Sequence, residues 1–282
     1  MDQSSQKRSD LMRMALAQGY LSTPGGFRKP SFVHIVRPNQ SVVKRGGVSH
    51  LMDMVTSALV EPPATEIAQL NPANQSGGWV TWASWNNGTA TSISSFSTSW
   101  RVPPLPATQS GQLVYLFNGL QNPAGKEILQ PVLQWGSSGA GGGNFWSIAS
   151  WHADSNGQAF CTPSVPVNPG DLLTGIMTEV AVFNDGTRNY KCEFAKMAGT
   201  SLMALGMPEL TAAEQTLEAY GITGQGDYPA APSTAMTQID LQVGGNPAPL
   251  AWTASSMQNP QYGERTNIAS DATPGGEVDL YY

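Results

Sequence analysis

The chain has 282 residues, of which only 12% are charged, and it contains 30 glycines, 21 prolines and eight tryptophans. A chain of this length can bury a sizeable core. Low charge combined with many turn-forming and aromatic residues is typical of all-β proteins that work outside the cytoplasm. No apolar run reaches the roughly 18 residues that a membrane-spanning helix needs, and no secretory leader opens the chain. We therefore expect an extracellular protein without a membrane partner, whose export signal is not visible in this chain.

The net charge of -6 is distributed unevenly. Residues 1–50 carry eight basic side chains against two acidic ones, a balance of +6, which leaves -12 for the remainder. An acidic body argues against a nucleic-acid partner, because phosphate backbones are bound by basic surfaces. The basic residues 1–50 can bind the acidic remainder of the chain electrostatically. The alternative is that they form a solvated tail.

Residues 1–47 show little periodicity and are predicted to be mostly irregular. The next segment has apolar residues at helical spacing, which predicts a short amphipathic helix that ends before Pro62. Its apolar positions are Val48, Leu51, Met52, Val55 and Leu59. We treat residues 1–60 as a basic N-terminal extension and residues 61–282 as the main domain.

From residue 77 onward, short runs rich in β-branched and aromatic residues alternate with turn signals. These runs cover residues 79–85, 91–102, 113–120, 128–135, 144–151, 159–165, 172–183, 188–197 and 237–243. The pair that flanks Asn184-Asp185-Gly186 is the clearest hairpin. Many strands at this spacing predict an all-β fold, an antiparallel β-sandwich or a barrel.

Residues 208–220 have two interpretations. Thr211 and Glu214 are spaced as a capping box and good helix formers follow, which favours a helix. Read as a strand, the segment places Glu214, Thr216, Glu218 and Tyr220 on one face.

Residues 128–135 alternate as a strand does, with successive side chains on opposite faces. One face holds Leu129, Pro131, Leu133 and Trp135 and is predicted to be core. The other holds Ile128, Gln130, Val132 and Gln134. A carboxamide fixed on that second face is a hydrogen-bond donor that no physiological pH can switch off.

The sequence has few of the residue patterns that mark other types of catalytic site. His34 and His50 lie in the basic extension, and His152 is predicted to lie at the surface. There is no Gly-x-Ser-x-Gly, His-x-x-x-His or Cys-x-x-Cys pattern, so neither a metal nor another cofactor is predicted. Cys161 and Cys192 lie in strand-like runs, and they are either bonded to each other or two buried free thiols.

Six stretches are similar in order and spacing to the glutamic peptidases, or eqolisins, which are secreted acid proteases with a β-sandwich fold. These stretches are residues 93–102 with Pro103, Phe117-Asn118-Gly119-Leu120, Ile128-Leu129-Gln130, residues 146–151, residues 167–171 with their Pro-Gly-Asp turn, and residues 213–220. The resemblance covers about residues 77–255. It implies a concanavalin-like sandwich of two packed, curved antiparallel sheets that carries an irregular or helical N-terminal extension. It also favours a strand over residues 213–220.

For the site, the resemblance implies a catalytic pair in which Gln130 stabilises an oxyanion and Glu218 is the general base. The substrate, a polypeptide, would lie in a cleft formed by Phe117, Gln134, Trp146, Ser150, Glu214 and Tyr220. Residues 1–60 would be the propeptide of a monomeric zymogen. Gln121 and Ser150 stand where the family has acidic residues. The alternative is a non-catalytic carbohydrate-binding or interaction protein on the same scaffold, since exposed tryptophans on a sheet stack against sugars.

Overall fold

The computed structural model describes residue 10 and residues 12–60, 78–89 and 91–282. Residues 12–17 are helical, and short 3-10 turns cover Pro30–Phe32 and Gln225–Asp227. The strands are β1 (Leu21–Thr23), β2 (Gly26–Arg28), β3 (Val33–Ile35), β4 (Gln40–Arg45), β5 (Val48–Asp53), β6 (Trp79–Asn86), β7 (Ile93–Arg101), β8 (Leu113–Gln121), β9 (Ile128–Ser138), β10 (Gly141–Ala153), β11 (Ala159–Cys161), β12 (Val165–Pro166), β13 (Leu172–Val182), β14 (Arg188–Phe194), β15 (Leu202–Met207), β16 (Ala212–Tyr220), β17 (Ser233–Val243), β18 (Asn246–Pro247), β19 (Thr253–Ser256), β20 (Thr266–Ser270) and β21 (Gly276–Tyr281).

Most of these strands form two large sheets that pack face to face. One sheet has the order β19-β6-β16-β8-β9-β10-β11-β3, with β12 also paired to β10. The other has the order β20-β21-β17-β7-β13-β14-β15-β4-β5, with β18 paired to β17. Side chains from both sheets, among them Trp100, Leu133 and Phe194, form the buried core between them. The predicted β-sandwich is confirmed.

The hairpin predicted around residues 184–186 is confirmed as the turn between β13 and β14. Val182 pairs with Arg188 at its mouth, and Gly186 has a φ of 84°, which glycine adopts without strain. The strands that flank this turn are antiparallel, as in nearly all of both sheets.

Strand β16 settles the ambiguous segment in favour of the strand. It lies between β6 and β8 and pairs antiparallel with both over its length. All nine of its residues are buried. The hydrogen bonds and burial gained on both sides outweigh the local helix preference of Thr211 and Glu214, since propensity is a weak prior that tertiary context overrides.

The helix predicted over residues 48–59 is wrong. Residues 48–53 form strand β5, which pairs with β4 in a hairpin closed by Gly46 and Gly47. Both glycines have positive φ, 58° and 83°, as a two-residue hairpin turn requires. The apolar residues at 48, 51 and 52 lie on both faces of β5, since Leu51 is on the buried face while Val48 and Met52 are on the half-buried face, and a turn follows at residues 54–56.

The N-terminal extension is more ordered than expected, because it adds strands to both sheets. β3 pairs parallel with β11 in the first sheet, and β4 pairs parallel with β15 in the second. The hairpin of β1 and β2 lies on the outer face of the first sheet, where Phe27 belongs to a cluster with Tyr115 and Tyr220.

Candidate functional site

The outer face of the first sheet carries most of the predicted site residues. In β9 the residues Leu129, Leu133 and Trp135 lie in the core between the sheets. Ile128 and Val132 lie in a separate apolar cluster on the outer face, so the predicted alternation is confirmed. Gln130, which shares the outer face, is only 1% exposed.

Gln130 and Glu214 lie in the same row across the sheet. Glu214 of β16 pairs with Gly119 of β8. The register between β8 and β9 is the same at Phe117–Val132 and at Leu120–Leu129, which places Gly119 opposite Gln130. Two strand spacings of about 4.8 Å therefore separate the backbones of Glu214 and Gln130. The residue between them, Gly119, has no side chain, so no side chain of β8 stands between the carboxyl of Glu214 and the carboxamide of Gln130.

The ladder between β8 and β9 is interrupted beside Gln130. Pro131 has no N–H to donate, and the paired residues of β9 resume only at Leu129 on one side and at Val132 on the other. The side-chain oxygen Oε1 of Gln130 has no hydrogen-bond partner among the described residues. A buried polar atom without a partner is costly, so this oxygen gains if a bound group supplies a hydrogen-bond donor.

Glu214 is an unusual carboxyl group. Its side chain is buried, with 6% exposed, and its Oε2 atom has no partner among the described residues. Burial, which penalises the charged form, raises the pKa of Glu214 to about 9. In the intact chain the group is therefore a neutral acid at neutral pH.

Glu218 lies in a different row. It pairs with Tyr115 of β8, and Tyr115 pairs with Gln134 of β9. Gln134 is four residues from Gln130 along the strand, or about 13 Å at the rise of an extended chain. The register thus brings Gln130 to Glu214 and does not bring it to Glu218.

The remaining predicted cleft residues divide between the two faces. Phe117 and Tyr220 belong to the outer cluster. Gln134 is in the outer row, but its Nε2 donates to the carbonyl of Gly141 at 2.9 Å and holds the turn between β9 and β10. Trp146 lies in the core between the sheets and packs against Trp135 at 5.6 Å.

Ser150 also departs from the predicted cleft. It lies two residues from Ile148 of the inner core, so it shares the face that points away from the groove. Trp146 lies in the core and Ser150 shares a face with Ile148, so neither side chain lies with Gln130 on the outer face.

The hairpin of β1 and β2 lies against the outer face of the first sheet and contacts the row that contains Tyr115 and Glu218. The backbone N–H of Gly25 donates to both carboxylate oxygens of Glu218, at 2.8 and 3.1 Å. The hydroxyls of Ser22 and Tyr115 are 2.6 Å apart. Sequence analysis missed Tyr115 and Gly119 as site residues, although their alternation with Phe117 along β8 places all three on one face.

The described histidines, cysteines and carboxylates are also possible site residues. His152 is fully buried, so its predicted surface position is wrong. Cys161 and Cys192 are both free and buried. No group of three or more His, Cys, Asp or Glu side chains in the described part of the chain is arranged to hold a metal ion. Within the same residues, no helix has the length and apolar character needed to cross a membrane.

The tryptophans do not form a stacking surface. Seven of the eight are buried and Trp82 is partly buried, against Trp79 at 5.8 Å. A sugar-binding sheet face needs exposed aromatic rings. The tryptophans on this sheet therefore give no specific observation in favour of the carbohydrate-binding alternative.

No protein-family model matches the chain, and the search of curated proteins gave no match. Among solved structures, the chain is similar to Scytalido-glutamic peptidase with a peptide-based transition-state analog, at 15% sequence identity and a TM-score of 0.46. That similarity covers 72% of this chain and 98% of the other. The chain is also similar to SCP-B, a member of the eqolisin family of peptidases in complex with the tripeptide Ala-Ile-His. Here the identity is 16%, the TM-score is 0.41 and the coverage is 72% and 98%.

A further similarity is to Dario rerio galectin-1-L2, at 13% identity and a TM-score of 0.26, over 52% of this chain and 97% of the other. The fold is a β-sandwich. All three TM-scores lie below 0.5, so its resemblance to the eqolisin structures is distant. The roles of the site residues therefore rest on this chain's own contacts.

Proposed function

We propose that the protein is an endopeptidase of the glutamic type, in which Gln130 and Glu214 act on a peptide bond held above Gly119. The observation that carries the proposal is the row Glu214–Gly119–Gln130, where a buried carboxyl and a buried carboxamide flank a position without a side chain. The resemblance of residues 117–120, 128–130 and 213–220 to the glutamic peptidases supports the type of enzyme and the role of Gln130, but it implies Glu218 and not Glu214 as the base.

In this proposal Gln130 donates a hydrogen bond from its amide to the developing oxyanion, and the ionised Glu214 takes a proton from the attacking water. A well-placed oxyanion donor contributes roughly 3 kcal/mol to the transition state, and general base catalysis contributes about 10²- to 10⁴-fold in rate. An amide donor keeps its hydrogen at acid pH, where a histidine base would be protonated. The base role that the sequence favoured for Glu218 passes to Glu214, because Glu214 shares the row of Gln130.

Glu214 must ionise before it can act as a base. Its raised pKa has burial as its cause, so admitting water to the groove lowers that pKa towards the ordinary glutamate value of about 4.3. The closed groove therefore corresponds to an inactive state, and opening it creates the base.

We further propose that residues 1–60 are a propeptide and that residues 61–282 form the catalytic domain of a secreted, monomeric zymogen. The hairpin of β1 and β2 occupies the outer face and binds Glu218. The segment is basic and the remainder of the chain is acidic, so acid weakens their attraction as carboxylates are neutralised.

The test is cleavage of a denatured protein substrate by the full chain below about pH 5, where ionised carboxylates and not histidines supply bases. We expect cleavage that inhibitors of serine, cysteine and metallopeptidases do not block. The variants Gln130→Ala and Glu214→Gln should each lose at least about 100-fold in kcat. Gln242→Ala, on the opposite sheet, is the matched control. A folded Gln130→Ala protein that cleaves at the parental rate would refute the proposal.

A further inference from the structure

Two buried carboxamides lie next to the row Glu214–Gly119–Gln130, on the other face of the first sheet. Asn118 precedes Gly119 on β8, and Gln215 follows Glu214 on β16. The two carboxamide residues are cross-strand partners, and neither side chain is exposed. Because successive side chains of a strand point to opposite faces, both carboxamides point into the core between the sheets.

The second sheet presents a matching pair of residues. Thr98 of β7 and Gly175 of β13 are cross-strand partners. The Nε2 atom of Gln215 donates to Oγ1 of Thr98 at 2.6 Å. The Nδ2 atom of Asn118 donates to the carbonyl oxygen of Gly175 at 3.3 Å. Two neighbouring residues of one sheet are thus hydrogen-bonded to two neighbouring residues of the other.

Strand β9, which carries Gln130, meets the second sheet at the same place. Pro131 follows Gln130 and lies on the core face of β9. A Cβ atom at Gly175 would lie 2.6 Å from Cγ of Pro131 and 2.6 Å from Oδ1 of Asn118. The glycine therefore allows β8 and β9 to approach β13 closely. Each of the three strands that carry the row has one residue in contact with β7 or β13.

The two carboxamides are polar groups in an apolar core. A buried amide is costly unless it is hydrogen-bonded, and the side-chain oxygens of Asn118 and Gln215 have no partner among the described residues. Apolar side chains of similar shape would stabilise the core at least as well. A buried hydrogen bond is directional, however, and its best-attested use is to fix how two elements are aligned.

We propose that Gln215 and Asn118 are positioning residues for the row on the outer face. Through Thr98 and Gly175 they fix β16 and β8 relative to the second sheet, and thereby fix the groups that these strands carry. A displacement of about 1 Å at a reacting group costs on the order of 100-fold in rate. The inference rests on the proposed peptidase function for its effect on cleavage, while the contacts between the sheets are independent of that function.

The first experiment separates positioning from stability. The double variant Thr98→Val/Gln215→Met removes one hydrogen bond between the sheets together with both of its polar groups, so we expect the melting temperature to stay within about 3 °C of the parent. With a peptide that the parent protein cleaves, kcat should fall at least about tenfold while KM changes less than about threefold, since the outer face keeps its side chains. A folded double variant with the parental kcat would overturn the proposal.

Three single variants accompany the double variant. Thr98→Ser keeps the hydroxyl and should keep most of the parental kcat. Thr98→Val keeps the shape and removes only the hydroxyl, so kcat should fall, and this comparison remains informative even if the double variant does not fold. Thr178→Val, at a partly exposed position of β13, is the matched control. Equal losses in Thr98→Ser and Thr98→Val would show that the hydrogen bond has no positioning role.

The second experiment needs no activity. It compares the effect of Glu214→Gln on the melting temperature at pH 8 in the parent and in Thr98→Val/Gln215→Met. Burial raises the pKa of Glu214 to about 9, so the neutral amide should stabilise the parent at pH 8. When β16 is free to shift, water reaches the carboxyl, and the gain from the amide should fall by at least about half. A gain that is not smaller in the double variant would refute the positioning of Glu214.

The outcomes separate the two proposals. If the parent cleaves the peptide and the folded double variant cleaves it at the parental kcat, the positioning role is refuted and the peptidase survives. If the parent cleaves neither peptides nor denatured proteins, the peptidase proposal fails. The melting temperatures alone then decide whether the hydrogen bonds between the sheets hold Glu214 in place.

Discussion

Glu214 and Gln130 flank Gly119 from the two neighbouring strands. A Cβ atom at position 119 would lie 3.1 Å from Cδ1 and 3.4 Å from Cγ1 of Ile128, and 3.7 Å from the carbonyl oxygen of Leu129. That methyl would stand in the space between the carboxyl and the carboxamide. The row thus combines a buried carboxyl and a buried carboxamide with a position between them where a side chain would press on Ile128.

Gly119→Ala should keep the fold and lose activity. The terminal carbon of Ile128 can shift by a few tenths of an ångström, so we expect a loss of stability of about 1 kcal/mol or less. The proposed cleavage rate should fall at least about tenfold, because reacting groups displaced by a methyl lose their alignment. Thermal unfolding and peptide cleavage measure the two effects, with Gly88→Ala, in open space, as the control. Parental activity would show that the gap is not used.

Gly175→Ala should have the opposite profile. A Cβ there would lie 2.6 Å from both the Asn118 and the Pro131 side chains and 3.0 Å from Trp100, inside the packed core. We expect a loss of about 2 kcal/mol or more in the free energy of unfolding, measured by denaturant titration. An unchanged midpoint would contradict the packing described between β13 and β9.

Glu214→Gln should stabilise the protein, and more so at high pH. A carboxyl whose pKa rises to about 9 on folding makes the folded state hold more protons than the unfolded state between about pH 4.5 and 9, so it lowers stability as pH rises through this window. The neutral amide removes that loss. We expect the melting temperature to rise by on the order of 5 °C at pH 8 and to change little at pH 4. Glu277→Gln, on β21, is the control, and an equal change at both pH values would argue against a buried neutral acid.

His152 should account for part of the sensitivity to acid. Burial, aided by the charge of Lys44 and opposed by that of Asp154, lowers the pKa of His152 to about 4. Its contribution to stability is therefore present above about pH 6.5 and is lost as the pH falls towards 4. His152→Leu should reduce the drop in melting temperature between pH 7 and pH 4, and His50→Gln should not. A Gln130→Ala background removes the proposed peptidase activity during the measurement. An unchanged drop would refute the assignment.

Lys44→Met should destabilise the protein at neutral pH. Lys44 of β4 forms an ion pair with Glu127, and the side chains are only 12% and 3% exposed. Removing the amine leaves a buried carboxylate unpaired, which costs about 3 kcal/mol. The double variant Lys44→Met/Glu127→Leu should recover most of that loss in denaturant titrations. A single variant as stable as the parent would show that the pair contributes little to holding β4.

The sequence predicts the sandwich because its signals are local. Alternation in residues 128–135 and the turn at Asn184 each depend on neighbours a few positions away, and both are confirmed. The β4–β5 hairpin also had a local signal, the Gly46-Gly47 pair between β-branched runs, but the apolar spacing that follows it imitates a helix. Strand order and register are set by contacts distant in sequence, so no local pattern reveals them.

The pairing of Gln130 with one of the two glutamates also depends on contacts that are distant in sequence. That Gln130, Glu214 and Glu218 all point outward follows from period two and was predicted. Which of the two acids shares a row with Gln130 depends on how β8 aligns with both β9 and β16, which is fixed by packing over all three strands. A shift of four residues leaves every side chain on its predicted face, so alternation cannot distinguish one glutamate from the other.

The parallel pairings of β3 and β4 have a consequence for solubility. β11 and β15 would otherwise be the last strands of their sheets, each presenting free N–H and C=O groups along an apolar segment to other molecules. Residues 33–53 cap both borders, while the hairpin at residues 21–28 fills the groove. Because residues 33–53 belong to the proposed propeptide, its release would uncover both borders, and the catalytic domain alone should self-associate through its sheet edges more readily than the full chain.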